Sequence, residues 1–243
     1  IIKDLSKNGI SCIYISHKLD EVFALADRIS VLRDGNLIST YRKEEVSVDR
    51  IIEDMVGRKL EEMYPKKEGE ILGFSGLVGS GRSETMNAVF GSLKKSAGTV
   101  YLEGNPVNIR SAKEAIKMGI GMVTEDRKKT GIIAPMNLRE NMTIASLDMI
   151  SNKTFINRKK EKSISGEFYE KLSVKANGIE DNIMNLSGGN QQKIVLSKWL
   201  MKDIRVLILD EPTRGVDVGA KVEIYNIITE LAEKGIAVIM VSS

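Results

Sequence analysis

Apolar residues along the chain follow two patterns, short continuous runs and stripes that recur every three or four positions. The runs read as buried strands and the stripes as amphipathic helices packed on them. A first helical stretch stops at Gly9, the apolar run Ile10–Ile15 follows as a strand, and an amphipathic helix covers Leu19–Ala26. Strands Arg28–Leu32 and Leu37–Tyr41 flank Arg33-Asp34-Gly35-Asn36, a hairpin turn in which Asp-Gly tolerates positive φ. Helix Val48–Val56 leads into the charged tract Gly57–Gly69, which holds Pro65 and reads as a connector. Strand Glu70–Phe74, a glycine loop, helix Glu84–Phe90, strand Thr99–Leu102, a Gly104-Asn105-Pro106 turn, helix Ala112–Met118 and strand Gly121–Thr124 come next. Helical periodicity then dominates from Asn137 to Asn185, with helices Leu138–Leu147 and Arg158–Leu172. Beyond it lie the polar turn Asn185–Lys193, helix Ile194–Met201, a strand from Val206 into Asp210-Glu211, and helix Val218–Ala232. Strands alternating with helices predict an α/β fold with a mostly parallel core sheet.

The two ends of the chain repeat each other. Ile1–His17 aligns without gaps on Ile227–Ser243, each a helix ending at a glycine (Gly9, Gly235) followed by a β-rich run. The chain is therefore expected to start near the end of one repeat and to stop at the same point of the next. That predicts a tail of a first domain over 1–57, a linker over 58–69 and a second domain over 70–243.

Bulk properties narrow the classes. With 42% hydrophobic and 28% charged residues among 243, the chain has the make-up of an ordinary globular protein. A net charge of +3 argues for neither nucleic acid nor an acidic membrane surface. No apolar run nears the roughly 20 residues that span a bilayer, so any service to a membrane is as a peripheral subunit. The sole cysteine, Cys12, reads as a small core residue of a reduced protein. The eleven methionines read as core filler, Trp199 as part of an apolar helix face, and Arg158–Lys162 as a solvated helix face.

Three stretches carry chemistry. The first is Ser75-Gly76-Leu77-Val78-Gly79-Ser80-Gly81-Arg82-Ser83 between a strand and a helix, the setting of a phosphate-binding loop. Its glycines let backbone N–H groups wrap a phosphate, and Ser83 could bind Mg²⁺. Arg82 stands where a lysine is expected, and a planar guanidinium is no substitute for a point charge on the phosphates. The second is Leu186-Ser187-Gly188-Gly189-Asn190-Gln191, a glycine turn at a helix start that suits an anion. The third is Asp210-Glu211-Pro212 at a strand's carboxyl end, with Gly215-Val216-Asp217 beyond it. Pro212 separates the carboxylates from the following helix, so Asp217 is the expected N-cap and the pair is free for chemistry.

These motifs resemble those of ABC-type ATPases: Ser187–Gln191 the signature, Leu209–Thr213 the Walker B strand, Gly215-Val216-Asp217 the D-loop. The wording around them resembles the second half of the tandem ATPase subunit of bacterial ribose-, galactose- and xylose-type sugar importers. The resemblance implies a P-loop NTPase fold with an α-helical signature subdomain over about 136–200, and ATP and Mg²⁺ as ligands. It implies a nucleotide site of Gly76, Gly79, Ser80, Gly81, Arg82, Ser83, Glu84 and Glu125, with Mg²⁺ on Ser83 and Asp210 and the attacking water on Glu211. Glu125 takes the place of the family's glutamine and adds negative charge near the γ-phosphate. His17 resembles the family's switch histidine, though in the first repeat; Ser243 holds that position in the second.

The resemblance further implies partners: a first ATPase domain in the same subunit, membrane permease subunits, and indirectly a sugar-binding protein. It places the protein on the cytoplasmic face of the membrane. The departures at Arg82, Glu125 and Ser243 all fall on this domain's own pocket, while Leu186–Gln191 is intact. The expected division of labour is a signature offered to ATP held by the partner domain, beside a local pocket of little turnover. The dozen residues between Gly57 and Ile71 leave no room for the family's usual strand pair before the loop, and Tyr64 is the one aromatic there. Two other readings are a soluble tandem ABC ATPase acting on ribosomes or DNA, and a nucleotide-sensing scaffold without turnover. A strongly basic surface or long coiled coil, which the first would need, is not visible in the sequence.

Overall fold

The computed structural model describes residues 2, 11–16, 18–33, 35–57, 70–77, 79–152 and 155–242. It divides into two compact units, Ile1–Pro65 with Asp217–Glu223, and Lys66–Val216 with Ile224–Ser243.

In the first unit, helix α1 (Leu19–Leu25) precedes an antiparallel hairpin of β1 (Arg28–Arg33) and β2 (Asn36–Arg42), and helix α2 (Val48–Val56) follows. Alternation along β1 turns Ile29 and Val31 inward against Ile51 of α2, with Val22, Phe23 and Met55 around them. Ser47 caps α2 by accepting from the Arg50 N–H, and Gly57 ends it in the left-handed region at φ 78°.

The strand expected at Ile10–Ile15 does not form over its described part. Residues 11–16 have no regular structure, Ile13 is 95% exposed, and Cys12 lies on the surface rather than in a core. The matching run near the other end is a strand because it has neighbours on both sides; residues 11–16 join no sheet among the described residues. Apolar β-rich residues make a strand only where another strand accepts their backbone hydrogen bonds.

The second unit is built on a four-stranded parallel sheet in the order β3-β10-β9-β6, from β3 (Ile71–Ser75), β6 (Ile120–Val123), β9 (Val206–Asp210) and β10 (Ala237–Ser242). Leu207, Ile208 and Leu209 of β9 are fully buried, as expected for a strand covered on both faces. Each such side chain contributes about 1.5–3 kcal/mol through burial. Around the sheet lie α3 (Arg82–Val89), the small hairpin β4 (Val100–Leu102) and β5 (Asn105–Val107), and α4 (Ala112–Lys117). The expected Gly104–Pro106 turn sits one residue earlier: Glu103 and Gly104 make it with φ of 51° and 79°, and Asn105–Pro106 belong to a strand.

The helical part comprises α5 (Leu138–Thr143), α6 (Leu147–Ile150), the hairpin β7 (Ser151–Asn152) and β8 (Phe155–Ile156), α7 (Arg158–Lys171) and α8 (Gly188–Leu200). Asn137 and Glu140 form a capping box at the start of α5. The single helix expected over Leu138–Leu147 breaks into α5, a 3₁₀ turn at Ile144–Ser146 and α6. At the break the Thr143 hydroxyl bonds back to the Arg139 carbonyl at 2.9 Å, an arrangement that bends helices. Glu161, expected on a solvated face, is 1% exposed and pairs with Arg139 at 2.5 Å, whereas Arg158, Lys159, Lys160 and Lys162 are exposed. Trp199 is buried edge-on to Phe90 with ring centroids 6.2 Å apart, as its place on an apolar face predicts. Met86, Met122, Met142 and Met201 fill the core, but Met149 and Met184 are exposed. Helix α9 (Val218–Glu233) leads back to β10.

Candidate functional site

Register in the parallel sheet brings the carboxyl ends of its four strands to one edge. Ser242 pairs with Ser75, Val241 with Asp210, and Val123 with Leu209. The glycine loop, the acidic strand end and Glu125 therefore share the edge where open α/β sheets bind ligands.

The loop turns on its glycines. Gly79 and Gly81 adopt φ of 85° and 82°, a region closed to most side chains, and Gly81 caps α3 from that conformation. A Cβ on Gly76 would stand 3.0 Å from Ser80 Oγ, so the loop folds back on its own first glycine. Arg82 does not stand free over the loop: its Nη1 donates to the Ser242 carbonyl at 2.7 Å, across to the end of β10. The Ser83 hydroxyl hydrogen-bonds Asp210, and Glu84 is exposed in the first turn of α3. Val78 lies outside the described residues.

Asp210 is 1% exposed, and its Oδ1 has no partner among the described residues. Burial pushes its carboxyl above the usual range and Glu211 adds to this, while the Ser83 bond works against them. A small hard cation would complete this arrangement, since it takes oxygen ligands and would meet an unpartnered carboxylate oxygen beside a hydroxyl. Glu211 is left-handed at φ 47°, which costs a non-glycine residue about 1–3 kcal/mol. Its N–H bonds the Val241 carbonyl at 3.0 Å and its carbonyl accepts from the Arg214 N–H at 3.0 Å. The reversal ends the strand's alternation, so Glu211 leaves the sheet beside its buried neighbour. Sequence reasoning had no signal for this strain.

Glu125 forms an ion pair with Arg214. The negative charge expected here near the γ-phosphate is thus paired with a residue three places after Glu211. Asp217 accepts from the Ala220 N–H at 2.9 Å and caps α9, as the sequence predicts. His17, Ser243, the linker 58–69 and Tyr64 lie outside the described residues.

The signature stretch forms the first turn of α8, so the helix starts at Gly188 rather than at Ile194. Gly189 and Gln191 are buried and Gly188 half-buried, but Ser187 is exposed at the helix N-terminus. Its hydroxyl does not cap the helix; it accepts from Asn190 Nδ2 at 3.0 Å. Backbone N–H groups at such a start favour an anion. Leu186 is buried beneath the turn.

Two basic residues escaped sequence reasoning because they read as ordinary surface charge. Arg127, four residues beyond the end of β6, donates to Gln191 and to the carbonyls of Arg214 and Gly215, and burial lowers its pKa. Lys198 on α8 donates to the Gly131 carbonyl, and burial brings its pKa down to about 8.

The family described as "ABC transporter" matches residues 65–214. The chain is 44% identical over 271 residues to the ribose import ATP-binding protein RbsA of Geobacillus kaustophilus, covering all of this chain and 55% of that protein. It is 42% identical over 279 residues to the xylose import ATP-binding protein XylG of Thermoanaerobacter pseudethanolicus, with the same coverages of 100% and 55%. The chain thus spans about half the length of the curated relatives it matches. A nucleotide-free ATP-binding cassette from an ABC transporter superposes with a TM-score of 0.61 at 24% identity, covering 73% of this chain and 72% of that one. A dimeric cassette bound to ADP and Pi gives 0.60 at 23%, covering 73% and 76%; both likenesses concern the fold alone.

Proposed function

This chain belongs to the ABC transporter family, and from that membership we propose that it is the second half of a tandem ATPase subunit driving sugar import. In this reading ATP is hydrolysed chiefly at the first repeat's phosphate loop, and this half supplies Leu186–Gln191 to that ATP. The partners are the first repeat, a membrane permease and, through it, a sugar-binding protein; the subunit sits peripherally on the cytoplasmic face. Support comes from relatives about twice as long whose names specify ribose and xylose import. No helix among the described residues is long and apolar enough to cross a membrane, which accords with a peripheral subunit.

The observation that carries the division of labour is the contrast between Ser187 and Arg82. Ser187 is exposed at the start of a 13-residue helix, whereas Arg82 is bonded to the Ser242 carbonyl. A helix start open to solvent can meet a phosphate brought by a facing lobe. An arginine tied to the sheet edge must break that bond before it can serve the β- and γ-phosphates. The local pocket retains the means to bind nucleotide: the glycine loop for phosphates, Ser83 and Asp210 for Mg²⁺, Glu211 for the attacking water. Bound there, Mg²⁺ supplies charge neutralisation to the phosphates, and the unpartnered Asp210 oxygen fits it. Turnover of this chain alone is expected to be at least about tenfold below that of the two-repeat subunit. Equal turnover by the two would refute the division of labour.

A further inference from the structure

Arg127 opens a single π-helical turn, Arg127–Gly131, and its guanidinium joins Gln191 of the signature to the Arg214–Gly215 turn. Nη1 donates to the Arg214 carbonyl at 2.6 Å, Nη2 to the Gly215 carbonyl at 3.1 Å and Nε to Gln191 Oε1 at 3.3 Å. Gln191, 4% exposed, is itself fixed by donating to the Ile183 carbonyl at 3.2 Å. A Cβ on Gly188 would fall 2.6 Å from the Gly215 carbonyl and 2.5 Å from Arg127 Nη2. Only glycine allows the start of α8 to lie this close to the turn after the acidic strand.

The same segment is pinned further along the helix. A Cβ on Gly131 would lie 3.4 Å from Val195, and Lys198 donates to the Gly131 carbonyl. Gln191, Val195 and Lys198 are four and then three residues apart, on one face of α8. The segment that begins at Glu125 therefore lies along α8 from the signature end for about two turns. Displacement at Glu125 must either carry the start of α8 with it or break the Arg127 fork.

We propose that Arg127 is a positioning residue that locks the signature turn to the Arg214–Gly215 turn and so sets where Ser187 stands when it meets a nucleotide. The proposal rests on the function given above. Arginine is required because three acceptors in different directions suit a planar fork with five N–H donors; one ammonium cannot serve them together.

The test uses the two-repeat subunit carrying Arg127→Ala, Arg127→Lys, Ser187→Ala or Arg127→Ala with Ser187→Ala. Arg127→Ala is expected to lower kcat for ATP hydrolysis on the order of 10- to 100-fold, the scale of an ångström's misplacement, with KM for ATP moving less than about threefold. Arg127→Lys should recover little, and the double variant should be no slower than Ser187→Ala alone, because both changes act through one turn. A kcat within about twofold of wild type for Arg127→Ala, or fully additive losses in the double variant, would overturn the proposal. Amide hydrogen exchange at Gly188–Gln191 gives a second readout, independent of turnover and applicable to Arg127→Lys should the alanine variant fold poorly. Faster exchange there supports the lock; unchanged exchange overturns it. If Ser187→Ala leaves hydrolysis intact while Arg127→Ala still lowers kcat and raises exchange, the signature function fails and the positioning role stands.

Discussion

Lys198→Met probes the burial of a charge beside the signature helix. In the native chain the Lys198 ammonium donates to the Gly131 carbonyl, and burial brings its pKa from 10.5 down to about 8. At about 1.4 kcal/mol per pKa unit, keeping that charge in the folded state near neutral pH costs about 3 kcal/mol. Between the two values the unfolded chain holds a proton that the folded chain has released. Stability contributed by this group is therefore lowest below about pH 8 and rises with pH towards 10.5. Lys198→Met removes the titration and leaves the Gly131 carbonyl unpaired, a loss of about 1–3 kcal/mol. Near neutral pH the two effects leave the variant as stable as wild type or up to about 2 kcal/mol more so. From about pH 7 to pH 10 wild type should gain about 2–3 kcal/mol relative to the variant. Urea unfolding followed by circular dichroism reads this as a relative shift in midpoint of about 1 M. Parallel pH profiles for the two proteins would refute the reasoning, because a solvated ammonium would titrate alike in both states.

Other substitutions test other parts of the unit. Glu211→Gly should raise folding stability by about 1 kcal/mol in urea unfolding, since glycine relieves the left-handed backbone, while removing the carboxylate proposed to orient water. Glu161→Ala should destabilise by about 1–3 kcal/mol in the same measurement, because Arg139, 6% exposed, loses its buried acceptor and keeps Glu180. Asp210→Asn should raise the Tm of the ligand-free protein near neutral pH, where burial and Glu211 disfavour the charged carboxylate. That gain should fade as pH falls through the carboxylate range, where both states are neutral. The same variant should lose the Tm increase that Mg²⁺ with nucleotide is expected to give wild type.

Elements decided by local pattern were legible in the sequence. The apolar run Val206–Asp210, the strands β1 and β2 on either side of the predicted turn, and the amphipathic α2 each carried their own period or cap, and they fold where that pattern places them. The glycine loop was legible for the same reason, since strand, glycines and helix are adjacent in the chain. Elements decided by distant partners were not. Residues 11–16 have the composition of a strand but join no described sheet, and Cys12 lies on the surface. Arg127 sat in a charged run and Glu125 was legible only as a site residue; their partners lie some 64 to 89 positions away at Gln191, Arg214 and Gly215. Neither those partners nor the reversed backbone of Glu211 leaves any mark on local periodicity.

In the proposed division of labour this half lends its signature and does little hydrolysis of its own. The most direct measurement is steady-state ATPase activity of the two-repeat subunit with Ser187→Ala against the same subunit with Arg82→Ala. Ser187→Ala is expected to lower it about 10- to 100-fold and Arg82→Ala far less. A large loss with Arg82→Ala and near-normal turnover with Ser187→Ala would contradict that division of labour.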